Sequence, residues 1–568
     1  MTAAHRPDDF DTDVIVIGGG PVGLTTACAL AHHGVRFRVF EQHTQPRPHS
    51  RANNLWARPQ ELLASVGLRD ALAERSYRIT RINTLLNGKT VDPIDIANVA
   101  SPYPEVLYSG QDVIENVLGR RIESAGGRLE RGRKVISFEQ DADGVTVTLA
   151  TVDGDGREVA GSARETLRCR YLVGADGADG FVRKHLGLDF SSEKLPHCVN
   201  RQVDARLRWR RSTDFDHLWF FYYPKGFCGV LPVWEGYHRL FFLSDDAGIP
   251  DRDPTLEELQ AIAREVTQDE TLELADPIWL THSRFQHGVS PHYAKDRVFL
   301  VGDAGHRTLP AGGQGMNAGL QDAVGLAWRL AMALAGAVRP VVLDSYDVER
   351  GGEHRRLDEQ QEKGFRNSVY RSAVEDAAMG LAATFLPNIG SLIQGTDDLQ
   401  QMSVAYPDSP LNEGHPGGLL ELFHRHAPGP GQRAPDADVV AQDGSSTTLF
   451  RHIYNPDGHS WGWALLVFDG RRQDALPHMH DAVGRIAEWA WVRPKLVLGA
   501  AVPGKDDPAT SLFDLDGVAH RAYGVGKNGA AMVLVRPDGH IAFRGPLDRP
   551  ALLVAYCEKT FGRRNTAA

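Results

Sequence analysis

Gly18, Gly20 and Gly23 stand at GxGxxG spacing in GGGPVGL, and an acid, Glu41, follows about twenty residues later. That set suits a dinucleotide. The first glycine allows a tight turn, the second lets a pyrophosphate approach bare backbone, and the third lets a helix pack closely on a strand. Pro21 opens the helix, whose free N–H groups and dipole favour a diphosphate. Glu41, with Gln42 beside it, would take the adenosine ribose hydroxyls. An acid there repels a 2'-phosphate, so the site reads as one for NAD or FAD rather than NADP, and this motif alone leaves those two open. A second constellation, GDAGHRTLPAGGQGMN at 302–317, bears on the choice. Asp303 at a strand end can accept from ribityl hydroxyls. Gly312, Gly313 and Gly315 let backbone approach a ring, with Pro310 beside them. Met316 and Asn317 begin a helix whose N–H groups face negative charge on a reduced ring. A dehydrogenase needs only the first motif; a flavin needs both.

These residues require particular elements to hold them. Apolar DVIVI predicts a strand through Val14–Ile17, a helix to about Ala31 follows, and a second strand ends at Glu41. RYLVGADGADGFVRKHLG at 170–187 repeats the strand and turn pattern. DRVFLV leads into the loop at 302, and NAGLQDAVGLAWRLAMALAG after it has helical periodicity. Between these pieces, TDFDHLWFFYYPKGFCGVLPVWEGYHRLFFLSDD alternates like a β-sheet. That sheet is expected to roof the flavin.

Composition narrows the function classes. The chain has 568 residues, 42% of them hydrophobic, and a net charge of -11, with no run of Lys or Arg that would suit nucleic acid. No apolar stretch reaches transmembrane length, and the polar start MTAAHRPDDFDTD lacks signal-peptide features, so a cytoplasmic protein without membrane contact is expected. Five scattered cysteines form no CxxC, which speaks against disulfides, zinc or a dithiol centre. No metal site is expected.

GGGPVGL, GADGADGFVR and GDAGHRTLPAGGQGMNAGLQDAVGLAWRLA, in that order, resemble the three fingerprints of single-component FAD-dependent aromatic hydroxylases, the p-hydroxybenzoate hydroxylase and phenol hydroxylase family. Three positions depart from the pattern: Gly180 for serine, Gly305 for alanine, and Leu309 for the first of two prolines. The resemblance implies that Arg51 and Gln111 contact FAD, and that Asp176 lies on a turn used by FAD and passing nicotinamide. It further implies non-covalent FAD, NADPH or NADH as a transient co-substrate, and O2 reacting with reduced flavin to a C4a-hydroperoxide that hydroxylates an electron-rich ring. The fold expected is α/β and α+β. Residues 1–75, 105–190 and 281–395 would form a Rossmann-type FAD-binding domain, and 76–104 and 191–280 a substrate-binding β-sheet domain. Residues 410–568 resemble the thioredoxin-like domain of the phenol hydroxylase branch, where a structural role in a homo-oligomer is expected.

The substrate is less legible. Asn53 and Asn54 occupy the segment where some relatives place a base, so no catalytic residue is assigned. Leu231 and Val233 fall where the hydroxybenzoate enzyme offers a serine and a carboxylate-binding arginine. A less charged, larger aromatic follows, a polyketide-like phenol or a hydroxypyridine. Tyr223, Leu231, Val233, Phe241, Leu309 and Pro310 are the candidate walls, and Arg239 is expected toward the flavin. Alternatives are a halogenase, disfavoured by the lack of a WxWxIP signature, a reductase, or a non-catalytic aromatic-binding flavoprotein.

Overall fold

The computed structural model describes residues 10–46, 52–223, 226–234, 236–245, 248–309, 311–369, 396–415, 427–454, 462–472, 474–499, 511–527 and 529–562. The strand Thr12–Ile17 is almost wholly buried because its run of Val and Ile is covered on both faces. It pairs in parallel with Glu165–Gly174 on one side and Phe37–Glu41 on the other. Val298–Leu300 extends this sheet beyond Glu165–Gly174, again in parallel. The turns that end three of these strands therefore open at one edge. Helix Pro21–His32 packs against the long helix Gln314–Leu334, and their approach depends on glycine: a Cβ on Gly319 would lie 2.7 Å from Val22.

A second eight-stranded sheet runs in the order His306–Arg307, Glu273–Val289, Ser191–Arg208, Tyr237–Asp245, Gly226–Trp234, His217–Tyr223, Arg81–Leu86, Lys89–Asp95. One face is closed by helix Leu256–Thr267, whose Leu259 and Ala263 pack with Val203, Phe221, Val230, Leu240 and Phe242. A Thr255–Glu258 capping box starts that helix. The other face turns toward Trp56 and Tyr108, and toward Leu309 of the loop after residue 302.

The C-terminal sheet sets Trp463–Phe468 parallel to Val492–Leu498 and antiparallel to Ala531–Val535, which pairs antiparallel with Ile541–Pro546. Helix Ala475–Arg485 connects the parallel pair, and helix Pro550–Thr560 closes the chain's last unit, giving the βαβ then ββα order of a thioredoxin-like fold. All five cysteines are buried, and none forms a disulfide. This unit joins the rest through buried charge: Arg536 donates to Glu349 at 2.6 and 3.0 Å, Arg433 to Glu61, and Arg58 to the Asp538 carbonyl. No helix among the described residues is long and apolar enough to cross a membrane.

Candidate active site

The first glycine turn separates into three mechanical roles. Gly18 has φ +117°, and a Cβ there would sit 2.2 Å from the Ala175 carbonyl oxygen. Gly23 is closed as firmly, its would-be Cβ being 2.1 Å from the Gly18 oxygen. Gly20 is different: nothing lies within 4 Å of the position its Cβ would take. Open space is thus kept at the N-cap of helix Pro21–His32, which has Pro21 in its first turn and no side-chain cap. Glu41 is drawn back over this turn, accepting the N–H of Gly19 at 2.7 Å and of His43 at 2.8 Å, one on each oxygen. Each oxygen retains acceptor capacity for a ribose hydroxyl. Gln42 is exposed beside it, and Arg51 lies outside the described residues. Gln111 begins helix Gln111–Ser124, where its side-chain amide donates to Glu115 at 2.8 Å.

Asp176 shows why residue 180 is glycine. Its Oδ2 accepts the Val182 N–H at 2.9 Å, its Oδ1 is buried without a partner, and a Cβ on Gly180 would fall 2.2 Å from that oxygen. Burial raises this carboxyl above the ordinary aspartate range. Gly305 likewise admits the Tyr293 ring, 2.6 Å from where its Cβ would be.

The loop at 302–317 forms one cradle with the segment Asn53–Trp56. Asp303 is exposed on the short turn Gly302–Ala304. Gly312 and Gly313 both adopt left-handed backbone, at φ +71° and +62°, and Gly313 packs against the Asn54 amide. The helix from Gln314 then starts with no side-chain cap, leaving the first-turn N–H groups of Gly315 and Met316 to other partners. The Asn317 side chain accepts the Trp56 N–H at 2.9 Å and donates to the Asn54 and Gly313 carbonyls, so it ties the cradle together. The Trp56 indole adds a bond to Gly312 at 2.9 Å. Inside this joint the Nδ2 groups of Asn53 and Asn54 are buried without partners. Pro310 lies outside the described residues.

Beneath the loop sits a carboxylate that sequence reasoning missed. Asp322, fully buried, accepts the Gly302 N–H at 2.9 Å, Arg350 Nε at 2.6 Å and His354 at 2.9 Å, with His306 at 3.4 Å. Burial opposes its charge, but His354 and Arg350 hold it well below the usual aspartate range. His306, Asp322 and His354 place ligand-type atoms within 4.8 Å of one another, and the Arg350 guanidinium already supplies the positive charge the carboxylate requires. One acid within a 21-residue apolar helix was the available sequence signal.

Of the expected walls, Leu231, Phe241 and Leu309 do gather on the face turned to the cradle, with Trp56 and Tyr108 opposite, and Val233 is buried further along its strand. Tyr223 does not join them. It pairs across the hairpin with Gly226, so strand alternation puts its ring on the helix side with Phe221, Cys228 and Val230. There it contacts Leu243 O and Ser244 Oγ at 3.4 and 3.3 Å, and burial pushes its phenol up to about 12. Arg239 is buried and bound through Nε and Nη2 to both oxygens of Asp204, each at 2.8 Å.

Residues 11–359 match the family described as FAD binding domain, and 505–565 match the phenol hydroxylase C-terminal dimerisation domain. A 12-dehydrotetracycline 5-monooxygenase/anhydrotetracycline 6-monooxygenase of Streptomyces rimosus subsp. rimosus is 29% identical over 556 residues, covering 94% of this chain and 95% of that one. A rifampicin monooxygenase of Streptomyces venezuelae is 34% identical over 341 residues, 60% of this chain and 68% of its own. The solved structure of an anhydrotetracycline hydroxylase from Streptomyces rimosus superposes with a TM-score of 0.69 at 27% identity, covering 97% of this chain and 99% of that chain. The residues present fit an FAD: an empty approach at Gly20, uncapped helix starts at residues 21 and 314, and unpartnered buried amides at Asn53 and Asn54.

Proposed function

Because this chain belongs to the FAD binding domain family and is an FAD-dependent monooxygenase, we propose that it hydroxylates a large, weakly charged phenolic aromatic, of the polyketide-like kind that its tetracycline-modifying relatives take. One observation carries the substrate class. The sheet face turned to the cradle carries Leu231 and Phe241, Leu309 of the loop packs against it, and Arg239 on that face is already neutralised by Asp204. Among the described residues of that face, a substrate carboxylate would find no free guanidinium. In this reading residues 1–75, 105–190 and 281–395 bind FAD, 76–104 and 191–280 bind substrate, and 410–568 serve assembly of a homo-oligomer.

The flavin, when bound, supplies hydride acceptance from NAD(P)H and activation of O2. The chain's own groups do the rest. Gly18, Gly20, Pro21 and Gly23 shape the diphosphate site, while Glu41, with Gln42 next to it, holds the adenosine ribose. Arg51, Gln111 and Asp176 add further cofactor contacts, and Asp303 takes the ribityl chain. Pro310, Gly313, Gly315 and the N–H groups at Met316 and Asn317 seat the ring, where their fixed dipoles meet negative charge without reorganisation. The Asn53 and Asn54 amides stand as donors beside that seat. Asp204 is bound to Arg239, so phenol activation here works through hydrogen bonding to the oxygen rather than through that carboxylate as base. Leu231, Val233, Phe241 and Leu309 exclude water from the reacting centre.

Turnover under labelled O2 tests the reaction: one labelled oxygen should enter the aromatic product for each NAD(P)H consumed. Label arriving only from water, or product formed anaerobically, refutes monooxygenation and returns the protein to a reductase or a binding protein.

A further inference from the structure

Two amides on the cleft face of the second sheet each bury one polar atom that no protein group satisfies. Gln202 lies directly opposite Phe241 in the antiparallel pairing, and Asn200 opposite Leu243, so both project to the side occupied by Leu231, Leu309 and the cradle. Gln202 is 8% exposed, and its Nε2 has no hydrogen-bond partner; the Oδ1 of Asn200 is likewise buried and unpartnered. Asp204, two residues further along the same strand, behaves otherwise, since Arg239 of the adjacent strand satisfies it. An unpaired amide buried among apolar side chains costs about 1–3 kcal/mol. A ligand oxygen that accepts from the amide removes that cost. The two amides stand about 7 Å apart along the strand, a separation suited to a flat polycyclic molecule with oxygen at more than one rim position.

From this we infer that Gln202, supported by Asn200, is a specificity-determining residue that donates a hydrogen bond to a carbonyl oxygen on the rim of a polycyclic aromatic substrate. The inference rests on the substrate class proposed above. Apolar contacts with Phe241, Leu231 and Leu309 accept any flat ring system, so discrimination must come from the polar groups that a wrong ligand would leave unpaired. Gln202 is such a group.

A matched pair of probes separates the two kinds of contact: 1-hydroxyanthraquinone carries rim carbonyls, and 1-anthrol has the same skeleton without them. Each is titrated into the holoenzyme, and binding is followed by the perturbation of the flavin absorbance. Gln202→Met should weaken 1-hydroxyanthraquinone roughly 10-fold, as loss of one hydrogen bond predicts, and change 1-anthrol less than twofold. Because the amide nitrogen has no protein partner, the same variant should melt no lower than the parent. Equal effects on both probes, or none on either, overturn the role of Gln202 and leave the polycyclic substrate class standing. A variant that melts lower or fails to fold shows the amide to be structural and overturns the inference. If the parent enzyme binds neither probe, the inference and the polycyclic class fall together.

Discussion

Gly20→Ala should separate the fold from its ligand. Gly20 sits at φ -80° and ψ 178°, backbone open to any residue, and its Cβ would meet no atom within 4 Å. In the flavin-free protein alanine is therefore accommodated, and by narrowing the unfolded ensemble it should stabilise by about 0.4–1 kcal/mol. With FAD the same methyl stands where the diphosphate must approach. Overpacking of this kind costs about 1–3 kcal/mol, or roughly 5- to 150-fold in Kd. Gly23→Ala makes the contrast, since its Cβ would come within 2.1 Å of the Gly18 carbonyl oxygen, and backbone must move whether or not flavin is bound. It should lower the melting temperature of the flavin-free protein, which Gly20→Ala should not. Circular dichroism melts of apoprotein and FAD titration by quenching of flavin fluorescence read the two effects. Wild-type FAD affinity in a stably folded Gly20→Ala would show that no diphosphate lies at this turn.

Asp322→Ala should release FAD and destabilise by about 3–5 kcal/mol, because it leaves the buried Arg350 without its carboxylate and the Gly302 N–H without an acceptor; a yellow variant with an unchanged melt would remove Asp322 from the support of the loop. Acid should weaken the native state. Burial lowers His354 to about 3 and His540 to about 4, so the unfolded chain takes up protons from about pH 6.5 downward while the folded one does not. Asp322 and Asp538, whose charged forms are favoured by His354 and Arg350 and by Arg536 despite burial, add stability that is present above pH 4 and is lost further down. The melting temperature should thus hold above pH 7 and fall between pH 6.5 and 4; a flat profile over that window contradicts neutral buried histidines. Cys557→Ser should leave turnover intact, since the thiol is buried, unpaired and pushed up to about 12 by burial. Truncation after residue 405 should give insoluble protein, because Glu349 and Glu61 lose Arg536 and Arg433; a soluble, active truncation would detach the C-terminal unit from the site's stability.

How much of this protein was legible in its sequence depends on the range of the interaction concerned. Gly18, Gly20 and Gly23 could be given separate duties from spacing alone, because a turn between strand and helix is a local problem of backbone angles and close approach. The same holds for the helix start at Gln314, announced by glycines with left-handed backbone just before it. Strand alternation also predicted a sheet, but not which face each residue would take. The hairpin pairs Tyr223 with Gly226, and that register alone decides that the ring faces helix Leu256–Thr267 and not the cleft. A shift by one residue would have reversed every side chain of the strand. Partners distant in sequence were equally hidden. Arg239 finds Asp204 across 35 positions, and Asp322 gathers Gly302, Arg350 and His354 from 20 to 32 residues away. Nothing in local pattern encodes such meetings, since only the packed tertiary structure withdraws these charges from water and so compels them to pair.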